Sequence, residues 1–155
     1  MKFIIPDEEE MLVLGGKLAK ACRRATIIYL RGQLGAGKTT LVRGFLRGMG
    51  YGAAVKSPTF TLVEPYEAAE WRLYHLDLYR IQKADELVYL GLRELQDHNV
   101  IVLVEWPERG EAYLPPADIV LVIDYAEHGR RVSLEPLTAV GKMTLDIFSA
   151  DFSPA

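Results

Sequence analysis

Residues 32–39 constrain the fold of this chain more than any other segment. Their sequence, Gly-Gln-Leu-Gly-Ala-Gly-Lys-Thr, has the Walker A spacing Gly-x-x-x-x-Gly-Lys-Thr. The apolar, β-branched run 26–30 precedes it and predicts a buried strand. Apolar residues at helical spacing between Leu41 and Met49 follow it and predict a helix that ends near Gly50. The segment therefore predicts a strand, a glycine loop and a helix in succession.

This loop has the composition of a phosphate-binding site. Glycines let consecutive backbone N–H groups point inward at phosphate oxygens, at the positive end of the following helix. Lys38 then supplies a mobile charge for the β- and γ-phosphates, Thr39 supplies a hydroxyl for Mg²⁺, and Thr40 is placed to contact the α-phosphate. The predicted nucleotide contacts of the loop are Gly32, Gly35, Ala36, Gly37, Lys38, Thr39 and Thr40.

The rest of the chain predicts an α/β fold. A capping box at Asp7 opens a helix that we expect to extend to Arg24. Further predicted helices are 84–96, broken at Gly91, and a short one around 143–148; further strands are 59–65, 71–79, 100–104, 118–125 and 131–136. We expect a single domain over residues 1–155, with a mixed, mainly parallel sheet, an added antiparallel hairpin and flanking helices.

Two acidic residues are candidates for the metal and for the attacking water. Glu105 ends an apolar strand, at the sheet edge where ligands bind in open α/β folds. Asp77 lies between His75 and Tyr79, and strand alternation puts all three on one face. The alternatives are a solvated hairpin face for Asp77 and a turn cap before Pro107 for Glu105.

Thr59 is a third candidate contact. Ser57-Pro58-Thr59-Phe60 follows the second helix, where proteins with this loop often carry a segment that senses the γ-phosphate. Taken by itself, Ser-Pro-Thr is also an ordinary turn before a strand.

Composition excludes several classes of protein. The 155 residues are 50% hydrophobic and 25% charged, which is typical of a globular chain and not of a disordered one. A net charge of −3 argues against non-specific nucleic-acid binding. Cys22 is the single cysteine, so we expect no internal disulfide and a reducing, cytoplasmic location. No apolar run approaches membrane-spanning length, so we expect no membrane association.

Other nucleotide-dependent functions share this loop. A regulatory GTPase usually carries Asn-Lys-x-Asp, but the one asparagine, Asn99, is followed by Val100. A small-molecule kinase needs an arginine-bearing lid, and no such insertion is visible. A nucleotide-dependent adaptor without catalysis and a small GTPase remain the alternatives to an ATPase.

Four strings in order resemble the TsaE family. They are the loop 32–40, Ser57-Pro58-Thr59-Phe60, the segment 75–80 (His-Leu-Asp-Leu-Tyr-Arg) and Glu105-Trp106-Pro107. The resemblance implies a bacterial Mg²⁺-dependent ATPase that supports threonylcarbamoylation of adenosine 37 in tRNA. It also implies that the chain binds the TsaB and TsaD subunits and that tRNA is reached only through that complex.

The resemblance also implies roles for individual residues. Lys38, Thr39 and Thr40 would hold phosphates and metal, Asp77 and Glu105 would serve Mg²⁺ and water, and Arg130 would contact nucleotide. A partner subunit is then expected to raise a slow basal hydrolysis rate, because the chain has no evident arginine finger. Two positions depart from the family's usual pattern: Gln33 replaces an acidic residue, and Met11 replaces a threonine.

Overall fold

The computed structural model describes residues 1–52, 55 and 62–152. Within them, seven strands form one mixed sheet in the order β1-β7-β6-β2-β5-β4-β3. The strands are β1 (Lys2–Ile5), β2 (Thr26–Gly32), β3 (Val63–Ala68), β4 (Trp71–Asp77), β5 (Val100–Glu105), β6 (Ile119–Tyr125) and β7 (Arg130–Pro136). The helices are α1 (Glu8–Ala21), α2 (Lys38–Gly48) and α3 (Ala139–Asp151).

The four central strands, β6, β2, β5 and β4, are parallel to one another. Antiparallel strands flank them, with the hairpin β3–β4 at one edge and β7 with β1 at the other. The predicted mixed α/β fold with a mainly parallel centre and an added hairpin is confirmed. Because parallel strands end at the same edge, Gly32, Asp77 and Glu105 are brought together there.

Two apolar clusters lie on opposite faces of the sheet, as expected for a parallel centre covered on both sides. One joins the sheet to α1, α2 and α3, and includes Phe45 and Phe148. The other packs under short 3-10 helices and includes Leu87 and Leu95. Helices α1 and α2 approach closely because of glycines; a Cβ at Gly44 would lie 2.2 Å from the carbonyl oxygen of Leu12.

Several element boundaries differ from the sequence prediction. Segment 84–96 forms two 3-10 helices, Ala84–Leu90 and Leu92–Gln96, and not one α-helix; Gly91 between them has φ +65°, a left-handed backbone that ends a helix. The first helix ends at Ala21. The strand predicted over 71–79 ends at Asp77, and the last helix is longer than predicted. Within the described residues, no helix has the length and hydropathy needed to cross a bilayer.

Candidate functional site

The glycine loop joins β2 to α2 as predicted, and its geometry leaves helix amides open to a ligand. Gly37 is the N-cap, with φ +116°, and no side chain caps this end of the described helix. The first N–H groups of any helix lack partners within it. Gly35 has φ +78° and also needs a glycine's conformational freedom. The first turn of α2 thus presents partial positive charge without a competing side-chain acceptor.

Lys38 is folded back over the loop. Its Nζ donates hydrogen bonds to the carbonyl oxygens of Gly32 and Gln33, the latter at 3.0 Å, and lies 4.3 Å from the centroid of the Trp106 ring. The side chain is buried, and desolvation lowers the pKa of Lys38, while the charges of Glu105 and Asp77 oppose that shift. A buried ammonium that contacts backbone carbonyls and an aromatic ring is well placed to exchange them for an anion.

Glu105 is the centre of a buried hydrogen-bonded group. Its two carboxylate oxygens each lie 3.2 Å from the Thr39 hydroxyl, which donates to them. His75 Nε2 lies 2.6 Å from Glu105 Oε2, and neither side chain has appreciable exposure. Among the residues that the structure describes, His75 Nδ1 has no hydrogen-bond partner. The contacts favour the tautomer with hydrogen on Nε2, since an orphaned lone pair is cheaper to bury than an orphaned N–H.

Asp77 lies beside Glu105 in the parallel register of β4 and β5. One of its oxygens accepts a hydrogen bond from the Tyr79 backbone at 3.0 Å. Burial raises the pKa of Asp77, the negative charge of Glu105 raises it further, and the Tyr79 N–H opposes both. Two neighbouring carboxylates in a partly buried cleft repel each other, and a bound cation would offset that repulsion.

The glycine loop and the two carboxylates line one cleft of about 360 Å³. Its lining includes Lys38, Thr39, Asp77, Glu105 and Trp106. On the other side of the loop, a cavity of about 300 Å³ is bounded by the start of α1, including Met11, and by Arg130. Both volumes fall within or near the range of small-ligand sites. Gly35, Ala36, Gly37 and Thr40 line both.

The oxygen donors of the cleft fit Mg²⁺ better than a softer metal. Thr39, Asp77 and Glu105 supply hydroxyl and carboxylate oxygens. In the described part of the chain, no cluster of three or more His, Cys, Asp or Glu side chains forms a closed metal site. Mg²⁺ is usually held by one or two protein groups together with substrate phosphates and water.

The structure brings together all the predicted site residues that it describes. Gly32 ends β2, and Arg130 donates from Nε to the Ala36 carbonyl oxygen at 3.0 Å, at the rim of the second cavity. Thr59 lies outside the described residues. Tyr79, predicted on the same strand face as Asp77, lies just beyond the end of β4 and lines the first cleft.

Sequence reasoning missed three contributors to the site. It singled out His75 but gave it no role. A second contributor is Trp106, which has φ +56° and whose indole lies over the Lys38 ammonium, with the ring of Tyr79 5.0 Å away. Sequence reasoning also overlooked Tyr125, which contacts the loop from the end of β6. The signal for Tyr125 is its position at the carboxyl end of a strand, the edge that carries the loop.

Comparisons with known proteins agree with this architecture. Residues 5–132 match the family model described as threonylcarbamoyl adenosine biosynthesis protein TsaE. A protein of Haemophilus influenzae named tRNA threonylcarbamoyladenosine biosynthesis protein TsaE is 45% identical over 94% of this chain and 95% of its own. A Bacillus subtilis protein of the same name is 36% identical over 91% of this chain and 87% of its own.

A solved structure has the same fold. The crystal structure of Bacillus subtilis YdiB superposes with a TM-score of 0.81 at 30% identity, covering 97% of this chain and 95% of that one. The sequence match spans the glycine loop, both acidic residues, all of β6 and the first three residues of β7. The chain belongs to the TsaE family of threonylcarbamoyladenosine biosynthesis proteins.

Proposed function

We propose that this protein is a Mg²⁺-dependent ATPase of tRNA threonylcarbamoyladenosine biosynthesis, which acts with TsaB and TsaD in the cytoplasm. One observation carries the proposal: the open amides of α2, Lys38 and the acidic pair Asp77 and Glu105 converge on one cleft. Phosphates need the first two, and a metal-assisted hydrolysis needs the last. The tRNA modification in this proposal comes from the relatives, which are named tRNA threonylcarbamoyladenosine biosynthesis proteins.

The cleft and the second cavity suggest how a nucleotide lies on the loop. The triphosphate occupies the cleft, where Lys38 leaves the carbonyls of Gly32 and Gln33 to bind β- and γ-phosphate oxygens. The nucleoside occupies the cavity on the other side of the loop, which Met11 and Arg130 line. Gly35, Gly37 and Thr40 line both spaces, so one ligand can span them.

Each polar side chain then has a distinct task. Bound Mg²⁺ would neutralise charge on the phosphate oxygens. Thr39 and Asp77 would hold the cation, and Glu105 would accept a hydrogen bond from the attacking water. The Thr39 hydroxyl donates to Glu105 in this structure; as a metal ligand it would leave a carboxylate oxygen of Glu105 free for that water. Trp106 and Tyr79 exclude solvent on one side.

The decisive experiment measures ATP binding and phosphate release, with and without added TsaB–TsaD. We expect slow hydrolysis by the chain alone and a higher rate with the partners. Binding of GTP in preference to ATP favours a GTPase, and nucleotide binding without phosphate release in either condition favours an adaptor. Equal rates with and without TsaB–TsaD contradict the assigned partnership.

Two substitutions separate binding from chemistry. Lys38→Ala should weaken ATP binding by roughly tenfold or more, because it removes a charge-assisted contact. Glu105→Gln should retain binding and lower kcat by roughly a hundredfold, since a positioned base contributes that much. Lys20→Ala and Glu135→Gln, at exposed positions, are the matched controls. Unchanged kcat in Glu105→Gln would transfer the water-orienting task to Asp77.

A further inference from the structure

Two side chains of the β6–β7 hairpin hold the glycine loop from outside by its carbonyl groups. The Tyr125 hydroxyl donates to the Leu34 carbonyl oxygen at 2.8 Å, and Arg130 Nε donates to the Ala36 carbonyl oxygen at 3.0 Å. The Arg130 guanidinium also lies 4.3 Å from the centroid of the Tyr125 ring. We call Tyr125 and Arg130 the hairpin clamp.

Strand order explains why the clamp reaches the loop. In the parallel register of β2 and β6, Gly32 lies opposite Ile123, so β6 extends two residues past the point where the loop begins. Tyr125 and Arg130 are partners across the antiparallel pair β6–β7, at the end nearest the turn. The hairpin therefore places both side chains beside the loop through the register of the sheet.

The two bonds fix which way the loop amides face. In a planar trans peptide, the carbonyl of one residue and the N–H of the next point in opposite directions. A Leu34 carbonyl held toward Tyr125 directs the Gly35 N–H away from the hairpin, and an Ala36 carbonyl held toward Arg130 does the same for Gly37. Those are the glycines that line the cleft and the second cavity. Without the clamp, either peptide can turn a carbonyl oxygen toward an incoming phosphate.

We propose that Tyr125 is a positioning residue that, with Arg130, orients the loop amides for phosphate before the nucleotide arrives. The inference rests on the proposed function, because it assigns the amides to a phosphate ligand. Tyr125 is 48% exposed, so its side chain contributes little to the core. Its hydroxyl lies close enough to the loop that a Cβ at Gly35 would approach it to 3.2 Å. The contacts of this tyrosine are thus with the loop, through its hydroxyl, and with Arg130, through its ring.

The test compares Tyr125→Phe with Tyr113→Phe. The first removes the hydroxyl and keeps the ring under Arg130; the second removes the hydroxyl of a tyrosine with similar exposure, 46%, away from the loop. We expect Tyr125→Phe to raise the Kd for ATP roughly two- to tenfold, the range for one lost hydrogen bond, and to leave kcat at saturating ATP unchanged. We expect Tyr113→Phe to match the wild type.

A second measurement is independent of nucleotide. Amide order parameters of Gly35 and Gly37 in the ligand-free protein should fall in Tyr125→Phe and not in Tyr113→Phe. Unchanged order parameters, an unchanged Kd for ATP, or a loss confined to kcat would each overturn the clamp. Failure of the wild-type protein to bind ATP would overturn the proposed function, while the order parameters still decide whether the hairpin orders the loop.

Discussion

The buried contact between His75 and Glu105 makes a quantitative prediction about catalysis. His75 Nε2 lies 2.6 Å from Glu105 Oε2, with both side chains enclosed. His75 contacts Oε2 alone, and the Thr39 hydroxyl lies 3.2 Å from both oxygens, so Oε1 is the oxygen without a histidine partner. His75 thereby sets the direction in which Glu105 can receive a water. Removing it should slow the proposed hydrolysis without weakening ATP binding.

The magnitude follows from the geometry. A hydrogen bond to a charged group contributes about 1.5–3 kcal/mol, and this one is short and shielded from water. If the transition state depends on that orientation, His75→Leu should lower kcat roughly ten- to a hundredfold. His75→Gln, whose amide nitrogen can reach the position of Nε2, should recover most of that loss. Neither variant should change the Kd for ATP more than about twofold, since in this structure the Nε2 contact is with Glu105 and not with the loop.

The assay is single-turnover phosphate release at saturating MgATP, with ATP affinity measured separately. Thermal melting of each variant identifies any that fail to fold. His98→Leu removes an exposed imidazole and serves as the control. The reasoning is refuted if His75→Leu hydrolyses ATP at the wild-type rate. It is also refuted if His75→Gln is as slow as His75→Leu, since the ring's packing and not its hydrogen bond would then matter.

Two further predictions use pKa directions. Because burial and the Glu105 charge raise the pKa of Asp77, the charged form of this side chain is disfavoured in the folded protein. Asp77→Asn should therefore raise the Tm of the ligand-free protein and reduce the stabilisation by MgATP. The control Asp124→Asn, at an exposed position, should do neither. Burial raises the pKa of the Cys22 thiol from 9.0 to about 12, so above pH 9 the unfolded chain loses a proton that the folded chain keeps. The free energy of unfolding from this group should fall by roughly 1 kcal/mol between pH 7 and pH 10, and urea titrations of Cys22→Ala should lack that part of the decline.

The parts of the site that could be predicted from sequence are those fixed by local geometry. The loop needs glycine at left-handed positions and a helix directly after it, and both are visible in a short string. Glu105 could be predicted because an apolar strand ends at it, and parallel strands end at the ligand edge. In each of these cases, one short segment of the chain carries enough information for the prediction.

The parts that could not be predicted depend on neighbours distant in sequence. His75 bonds to Glu105 because β4 and β5 are adjacent and parallel, which the segment 75–80 does not encode by itself. Tyr125 reaches the loop because β6 lies beside β2. Strand β1 has four residues and gains its partners from β7, so its own sequence is too short to identify it as a strand.

The position of β2 at the centre of the sheet divides the site into two functional sides. On one side, β5 and β4 carry Glu105, His75 and Asp77, of which Glu105 contacts the first turn of α2 at Thr39. On the other side, β6 and β7 carry Tyr125 and Arg130, which meet the loop at its carbonyls. Under the proposed function, hydrolysis needs His75 and Glu105 in the transition state, Asp77 contributes through the cation that binds with ATP, and binding needs Tyr125 and Arg130 before any reaction. The strand order therefore separates His75 and Glu105, whose loss should change the rate, from Tyr125 and Arg130, whose loss should change the affinity, because the two sets of contacts share the loop but no side chain.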